Sequence, residues 1–72
     1  MNYIEEQTDK LAKQTLDSSD GTMSIATSTP GYGWDGKLHA AMPHIARKLE
    51  KRGFSVTSQH RFQVTDWRIF KV

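Results

Sequence analysis

A helix that runs directly into a strand, between Asp35 and Val56, constrains the fold of this chain more than any other stretch. Its apolar residues recur at spacings of four, three and four, which places them on one face of a helix: Leu38, Met42, Ile45 and Leu49. Asp35 is suited to cap the start of this helix, and Gly53 is suited to end it in the left-handed backbone conformation. Phe54 and Val56 then alternate with polar residues, as in a half-buried strand.

Pro43 lies inside this central helix, which is predicted over residues 36–52. A proline there removes a backbone donor and clashes with the carbonyl of His39. The sequence therefore predicts either a kink at this point or a short first turn, with the main helix starting near Pro43. Both alternatives keep Ile45 and Leu49 on the buried face.

A first helix is predicted within residues 1–17, where Asn2 and Glu5 have the spacing of a capping box. Its apolar stripe is thin and consists of Ile4, Leu11 and Leu16, helped by Ala12 and the methyl groups of Thr8 and Thr15. Such a helix packs on something but does not fold alone, so we expect a docking helix, with a mobile helix as the alternative.

Strands are predicted over residues 22–27, 54–58 and 62–70, and a polar turn around Gln59 and His60 joins the last two in a hairpin. In the last strand, Trp67 and Ile69 share one face while Arg68 and Phe70 share the other. An exposed Phe70 on an edge strand, followed by Val72, would invite pairing with another chain. We therefore predict one α+β domain over residues 1–72, in the order helix, strand, helix, strand, strand. Its small antiparallel sheet is expected to pack on one or two helices.

Residues 28–36 are predicted to form an irregular loop, because three glycines and one proline occur in nine residues. The loop carries Tyr32 and Trp34. Two large aromatic side chains in such a segment either fold back over the edge of the core or are offered to a partner. Its glycines lack the Lys-Ser/Thr ending of a phosphate-binding P-loop, and no cofactor is predicted.

The size and composition of the chain limit how it is stabilised. Seventy-two residues are near the lower limit for a single apolar core, so a homo-oligomer would relieve the shortage of buried surface. No cysteine is present, so neither a disulfide nor a thiolate zinc site is available. Nothing resembles a secretory signal or a membrane span, and a cytoplasmic location without membrane contact is expected.

Charge is distributed unevenly along the chain. Residues 1–36 carry two lysines against six acidic residues, whereas residues 37–72 carry eight lysines and arginines against two acidic residues. Such asymmetry has two interpretations. Either the two halves of the chain, or two copies of it, attract each other, or the basic half binds an anionic partner. In the central helix five cations and His44 share one arc, away from the apolar stripe: Lys37, His44, Arg47, Lys48, Lys51 and Arg52. Arg61, Arg68 and Lys71 are expected to extend this surface.

The sequence contains few features that indicate an enzyme. His39 and His44 lie about 140° apart on a helix and cannot share a metal in regular geometry, so no metal site is predicted. The runs at residues 49–54 and 58–62 are similar to HicA-type messenger-RNA-cleaving toxins, a resemblance that would assign the catalytic role to His60. Gln59 interrupts the Gly-Ser-His order of that family, and we predict that the chain is not an enzyme.

The chain as a whole resembles the short accessory proteins of tailed bacteriophages, which combine a helix, a Gly-Phe-x-Val strand and a terminal Trp-x-Ile strand. The resemblance implies a viral protein that binds a host protein in the host cytoplasm and modulates or inhibits it. We therefore predict a small protein-binding module with an acidic partner. Its predicted contact residues are Tyr32, Trp34, Lys37, Arg47, Lys48, Lys51 and Arg52. The alternatives are nucleic-acid binding through the basic arc and self-assembly.

Overall fold

The computed structural model describes residues 2–28, 36–62 and 64–72, and its elements follow the predicted order. They are α1 (Tyr3–Asp17), β1 (Thr22–Ser28), α2 (Gly36–Lys51), β2 (Phe54–Arg61) and β3 (Val64–Lys71). The strands form one antiparallel sheet in the order β1-β3-β2, and both helices pack on the same face of it. The chain is a small α+β domain, which confirms the predicted fold class.

Helix α1 begins at a capped end, as the sequence indicated. The Asn2 side chain accepts a hydrogen bond from the backbone N–H of Glu5 at 2.8 Å. Two fully buried threonines line the inner face because each hydroxyl donates to a carbonyl one turn earlier: Thr8 to Ile4 at 2.7 Å and Thr15 to Leu11 at 2.8 Å. Their methyl groups can then pack in the core without leaving a buried hydroxyl group unsatisfied. Leu16, predicted to join the stripe, is 57% exposed instead.

Helix α2 is one helix from Gly36 to Lys51, so the predicted alternative of a start near Pro43 is wrong. Pro43 is exposed on the outer side, where its ring meets solvent rather than the core. Gly53 ends the turn after the helix with φ +91°, a backbone conformation that glycine adopts without steric cost. The predicted cap at Asp35 lies outside the described residues.

The core lies between the helices and the sheet. Its fully buried apolar side chains come from α2 and β3, namely Met42, Ile45, Leu49 and Ile69, and Leu11 of α1 is 2% exposed. Across the sheet, Ile69 is aligned with Met23 on one side and with Val56 on the other. Three of the four predicted stripe residues of α2 are therefore fully buried, and Leu38 is half-buried against the same core.

Strand β3 is the central strand, which corrects the expectation of an edge position for Phe70. It pairs with β1 from Thr22↔Phe70 to Ser28↔Val64 and with β2 from Phe54↔Lys71 to Arg61↔Val64. The backbone of Phe70 therefore has a neighbouring strand on each side, and its side chain is half-buried. Val72 follows β3 and is 84% exposed.

The hairpin extends beyond the helices at its turn. The last five residues of β2, Thr57 to Arg61, are all exposed. Phe62, predicted to begin the last strand, lies instead in the turn, where it is 96% exposed and has φ +53°. A large side chain in the left-handed region is uncommon and costs backbone energy. With 96% of its surface exposed, the ring adds almost no buried apolar surface to the described part of the chain.

Candidate functional site

The predicted basic arc divides into two parts once α2 is packed. Arg47 and Lys51 lie opposite the buried stripe and are exposed, with His44 one turn before them along the same side. None of these three side chains makes an ion pair or a hydrogen bond with the described part of the chain. We call His44, Arg47 and Lys51 the outward ridge.

The other part of the arc faces α1. Lys48 Nζ lies 4.0 Å from Glu5 Oε1, and Arg52 NH1 lies 2.6 Å from Asp9 Oδ1. Each of these four side chains keeps between 42% and 47% of its surface exposed, so each pair contributes at most ~1 kcal/mol. These two cations act within the fold: they join the last turn of α2 and the residue after it to the first two turns of α1.

Lys37 also contacts α1. Its Nζ lies 4.2 Å from the centre of the Tyr3 ring, a cation-π contact worth roughly 0.5–1 kcal/mol at an exposed site. Three of the five predicted cations of the arc therefore contact the first helix. The attraction between the two halves of the chain that the charge distribution indicated is present at Lys48 and Arg52.

Tyr32 and Trp34, the predicted aromatic contact residues, lie outside the described residues. The described chain does contain a shallow apolar groove of about 500 Å³ where α1 and α2 begin. Tyr3, Ile4 and Ala41 line it, with Lys37 and Ala40 at its border. Ala40 precedes His44 by one turn, so the groove continues into the outward ridge.

The expected extension of the arc by Arg61 and Arg68 is wrong. Both residues share the sheet face opposite Ile69, which is the face that the helices leave uncovered. Arg61 Nε lies 3.9 Å from Asp66 Oδ2 on this open face. Lys71 lies at the end of β3, with Nζ 5.4 Å from the centre of the Phe54 ring. The outward ridge and the open face are therefore separate surfaces, divided by the sheet.

The open face of the sheet carries a groove of about 660 Å³. All three strands line it, and its outward-directed side chains are polar except for Ala26: Ser24, Ala26, Thr57, Gln59, Arg61, Asp66 and Arg68. Sequence reasoning did not find this site. The alternation in β3 placed Arg68 opposite Ile69, but its neighbours Ser24 and Thr57 depend on a strand register that the sequence does not reveal.

Two of the three histidines, His39 and His60, make side-chain contacts within the fold. His39 Nδ1 lies 2.9 Å from Thr27 Oγ1, which also accepts a hydrogen bond from Trp67 Nε1 at 2.8 Å. His60 Nδ1 lies 2.9 Å from Thr65 Oγ1 across the β2-β3 pair. Within the described ranges, no group of three or more histidine, aspartate or glutamate side chains is placed to hold a metal ion.

Among the described residues, one carboxyl group has a pKa below its ordinary value. The hydrogen bonds from Ser18 and Thr22, in the turn between α1 and β1, lower the pKa of Asp20 from 3.8 to about 2. The Ser18 hydroxyl donates at 2.7 Å and the backbone N–H of Thr22 donates at 3.1 Å. This exposed carboxylate orders a turn and lies apart from both grooves.

Comparison of the chain with protein-family models, with curated proteins and with solved structures gives no match. Neither helix of the described chain has the length and apolarity needed to cross a membrane. The fold and its surfaces define a small α+β domain with one helix-borne cationic ridge and one polar sheet groove.

Proposed function

We propose that this chain is a noncatalytic protein-binding domain that contacts an acidic surface of another protein through the outward ridge. The observation that carries the proposal is the unequal use of the basic residues of α2. Lys48 and Arg52 pair with acids of α1, whereas Arg47 and Lys51 have no acidic partner in the described chain. Cations held on a rigid helix but unused by the fold are suited to steer an acidic partner into place.

The apolar groove beside the ridge supports the same proposal. Interfaces combine apolar anchors with charged residues at the rim. Here the groove lies at the start of α2, and Arg47 lies seven residues beyond Ala40, or roughly 10 Å along the helix axis. A partner that presents an apolar side chain followed by acidic residues would match this spacing.

A protein partner fits the ridge better than a nucleic acid does. Binding to nucleic acid relies on many phosphate contacts, and each contact adds to the dependence on salt. The ridge offers only two full charges, and the exposed acid Glu50 lies on the same helix. The resemblance to phage accessory proteins supports a host protein as the partner, with binding that modulates or inhibits it in the host cytoplasm.

The test compares two double variants that change the charge equally. Arg47→Glu with Lys51→Glu reverses the ridge, and Lys10→Glu with Lys13→Glu reverses two exposed lysines of α1. A partner captured from the native host with the wild-type chain is identified, purified and titrated by calorimetry at low and physiological salt. We expect the ridge variant to lose at least ~30-fold in affinity and the α1 variant to change by less than ~3-fold.

Equal losses in the two variants would mean that net charge alone drives binding, and the ridge would then have no special role. Co-purification of DNA or RNA that binds with a steep salt dependence and is lost in the ridge variant would replace the proposal with nucleic-acid binding. Sedimentation of the free chain from ~10 µM to ~1 mM separates both cases from self-assembly, which would raise the mass with concentration.

The aromatic loop remains a separate prediction. If Trp34 is offered to the partner, Trp34→Ala weakens partner binding by roughly 2 kcal/mol and leaves the melting temperature nearly unchanged. If the indole instead folds back on the core, the melting temperature falls sharply. Calorimetric titration and thermal unfolding of the same variant distinguish the two results.

A further inference from the structure

Arg68 occupies the middle of the open face. It lies on the central strand, paired in register with Ser24 of β1 on one side and with Thr57 of β2 on the other. Residues directly opposite one another in antiparallel strands have Cβ atoms roughly 5 Å apart on the same face. Arg68 is therefore flanked by two hydroxyl-bearing residues in a single row across the sheet.

The charge of Arg68 is not satisfied by the described part of the chain. Its side chain is exposed and makes no hydrogen bond or ion pair there. The acid nearest along β3, Asp66, lies two residues away and is directed to Arg61, at 3.9 Å. Asp66 therefore pairs with Arg61, and Arg68 remains the unpaired charge among the described residues of the groove.

The dimensions of the groove restrict what it can accept. About 660 Å³ is within the range of ligand sites and far larger than a single ion requires. The groove crosses all three strands, and its surroundings offer hydroxyl and amide groups from Ser24, Thr57 and Gln59. These groups can exchange hydrogen bonds with the backbone amides of an extended chain.

We propose that this groove binds an extended acidic segment of a protein, with one carboxylate of the segment held by Arg68. The guanidinium donates two parallel hydrogen bonds to the carboxylate, which is the strongest geometry for this pair of groups. Ser24 and Thr57 donate to the outer lone pairs of the same carboxylate or to the peptide beside it. This site lies on the opposite side of the sheet from the outward ridge and does not rest on the function proposed for the ridge.

The charges of the groove favour a carboxylate over a polyphosphate chain. A nucleic acid needs further unpaired cations for its successive phosphates, whereas the other arginine of the groove, Arg61, already lies 3.9 Å from Asp66. A peptide carries its charges on separate side chains and can direct a neutral residue to Asp66.

The proposal is tested by nuclear magnetic resonance titration of the full chain with a defined peptide, acetyl-Ser-Glu-Gly-Glu-Ser-amide. The matched control is the same peptide with glutamine in place of both glutamates. We expect the acidic peptide to shift the backbone amide signals of Ser24, Thr57 and Arg68 and the Arg68 Nε–H signal. The glutamine peptide should bind at least ~10-fold more weakly, because the charged partner is missing.

Two variants complete the test. Arg68→Gln should lower the affinity for the acidic peptide at least ~10-fold, and Thr57→Val, which keeps the shape and removes a donor, should lower it by ~3-fold. Lys13→Gln on α1, which also removes one exposed cation but lies on neither proposed surface, is the matched control and should bind as the wild type does. Unfolding curves of each variant show that the fold is retained.

Three results would overturn the assignment. The acidic and glutamine peptides could shift the same signals equally, which would remove the role of the carboxylate. Arg68→Gln could bind like the wild type, which would move the site elsewhere. Inorganic phosphate or a ten-residue oligothymidylate could bind at Arg68 more tightly than the peptide, which would reassign the groove to phosphate ligands. Failure of the ridge variants to affect any partner would leave these three results unchanged.

Discussion

The two faces of the sheet differ although they share the same three strands. On the covered face, Ile69 is fully buried and aligned with Met23 and Val56 beneath the helices. On the open face, its neighbour Arg68 is exposed and aligned with Ser24 and Thr57. Two adjacent residues of β3 therefore differ in role: Ile69 is part of the core, and the side chain of Arg68 makes no contribution to it.

This difference separates stability from recognition within a very small chain. A 72-residue domain has few residues to spare for its core, and here one face of the sheet supplies its share of it. The open face is free to carry polar and charged groups because burial is already provided on the other side. Changes to adjacent residues should therefore have very different effects.

The largest effect is expected on the covered face. Ile69→Ala removes buried methyl groups at the centre of the core and should lower the free energy of unfolding by about 2–5 kcal/mol. The matched change Arg68→Ala should alter it by less than about 0.5 kcal/mol. Urea denaturation of both variants measures the contrast, and similar losses would mean that the two faces are not divided as described.

A gain in stability is expected at the exposed turn of the hairpin. Phe62→Gly replaces a bulky residue at φ +53° with one that adopts this conformation freely, and Phe62 has 96% of its surface in water. The free energy of unfolding should rise by about 1 kcal/mol. A loss of stability in urea denaturation would show that the ring contributes to the fold.

A smaller difference is expected between two arginines of the α2 region. Arg52→Ala breaks the pair with Asp9 and should cost about 0.2–1 kcal/mol, whereas Arg47→Ala breaks no pair within the described chain. The cost at Arg52 should shrink in 1 M salt, because the charges are screened. Equal behaviour of the two variants in thermal unfolding at low salt would contradict the division of the basic arc.

The smallest effect is expected at Asp20, in the turn before β1. Its folded pKa of about 2 lies below the ordinary value of 3.8, so its ionised form stabilises the folded state. This contribution is complete above about pH 4 and is lost as the pH falls through 2. Asp20→Asn should therefore lower the melting temperature slightly at pH 7, and the difference from the wild type should decrease between pH 4 and pH 2.

The elements that the sequence predicted well are those set by local periodicity. The buried stripe of Met42, Ile45 and Leu49 follows from the helical repeat alone. The end of this helix at Gly53 follows from the ability of glycine to adopt a left-handed backbone conformation. In the same way, alternation in β3 separated Ile69 from Arg68. These signals lie within a few residues of one another, so no knowledge of the tertiary structure was needed.

Features set by packing between elements were predicted poorly. The stripe predicted for α1 correctly included Thr8 and Thr15 but wrongly included Leu16, because the docking of the helix, not the hydrophobicity of each residue, decides which side faces inward. The central position of β3 depends on pairing between residues as distant as Thr22 and Phe70. The row of Ser24, Arg68 and Thr57 likewise appears only when three separate strands are aligned.

The place of β3 in the sheet also sets the order in which the chain can fold. Strands β1 and β2 do not pair with each other. Each pairs with β3, which is synthesised after both of them. A nascent chain that stops before Val64 holds both helices and two strands, β1 and β2, that do not pair with each other. Synthesis of β3 therefore completes the three-stranded sheet in one step, and a nascent chain stalled before Val64 should remain open to proteases.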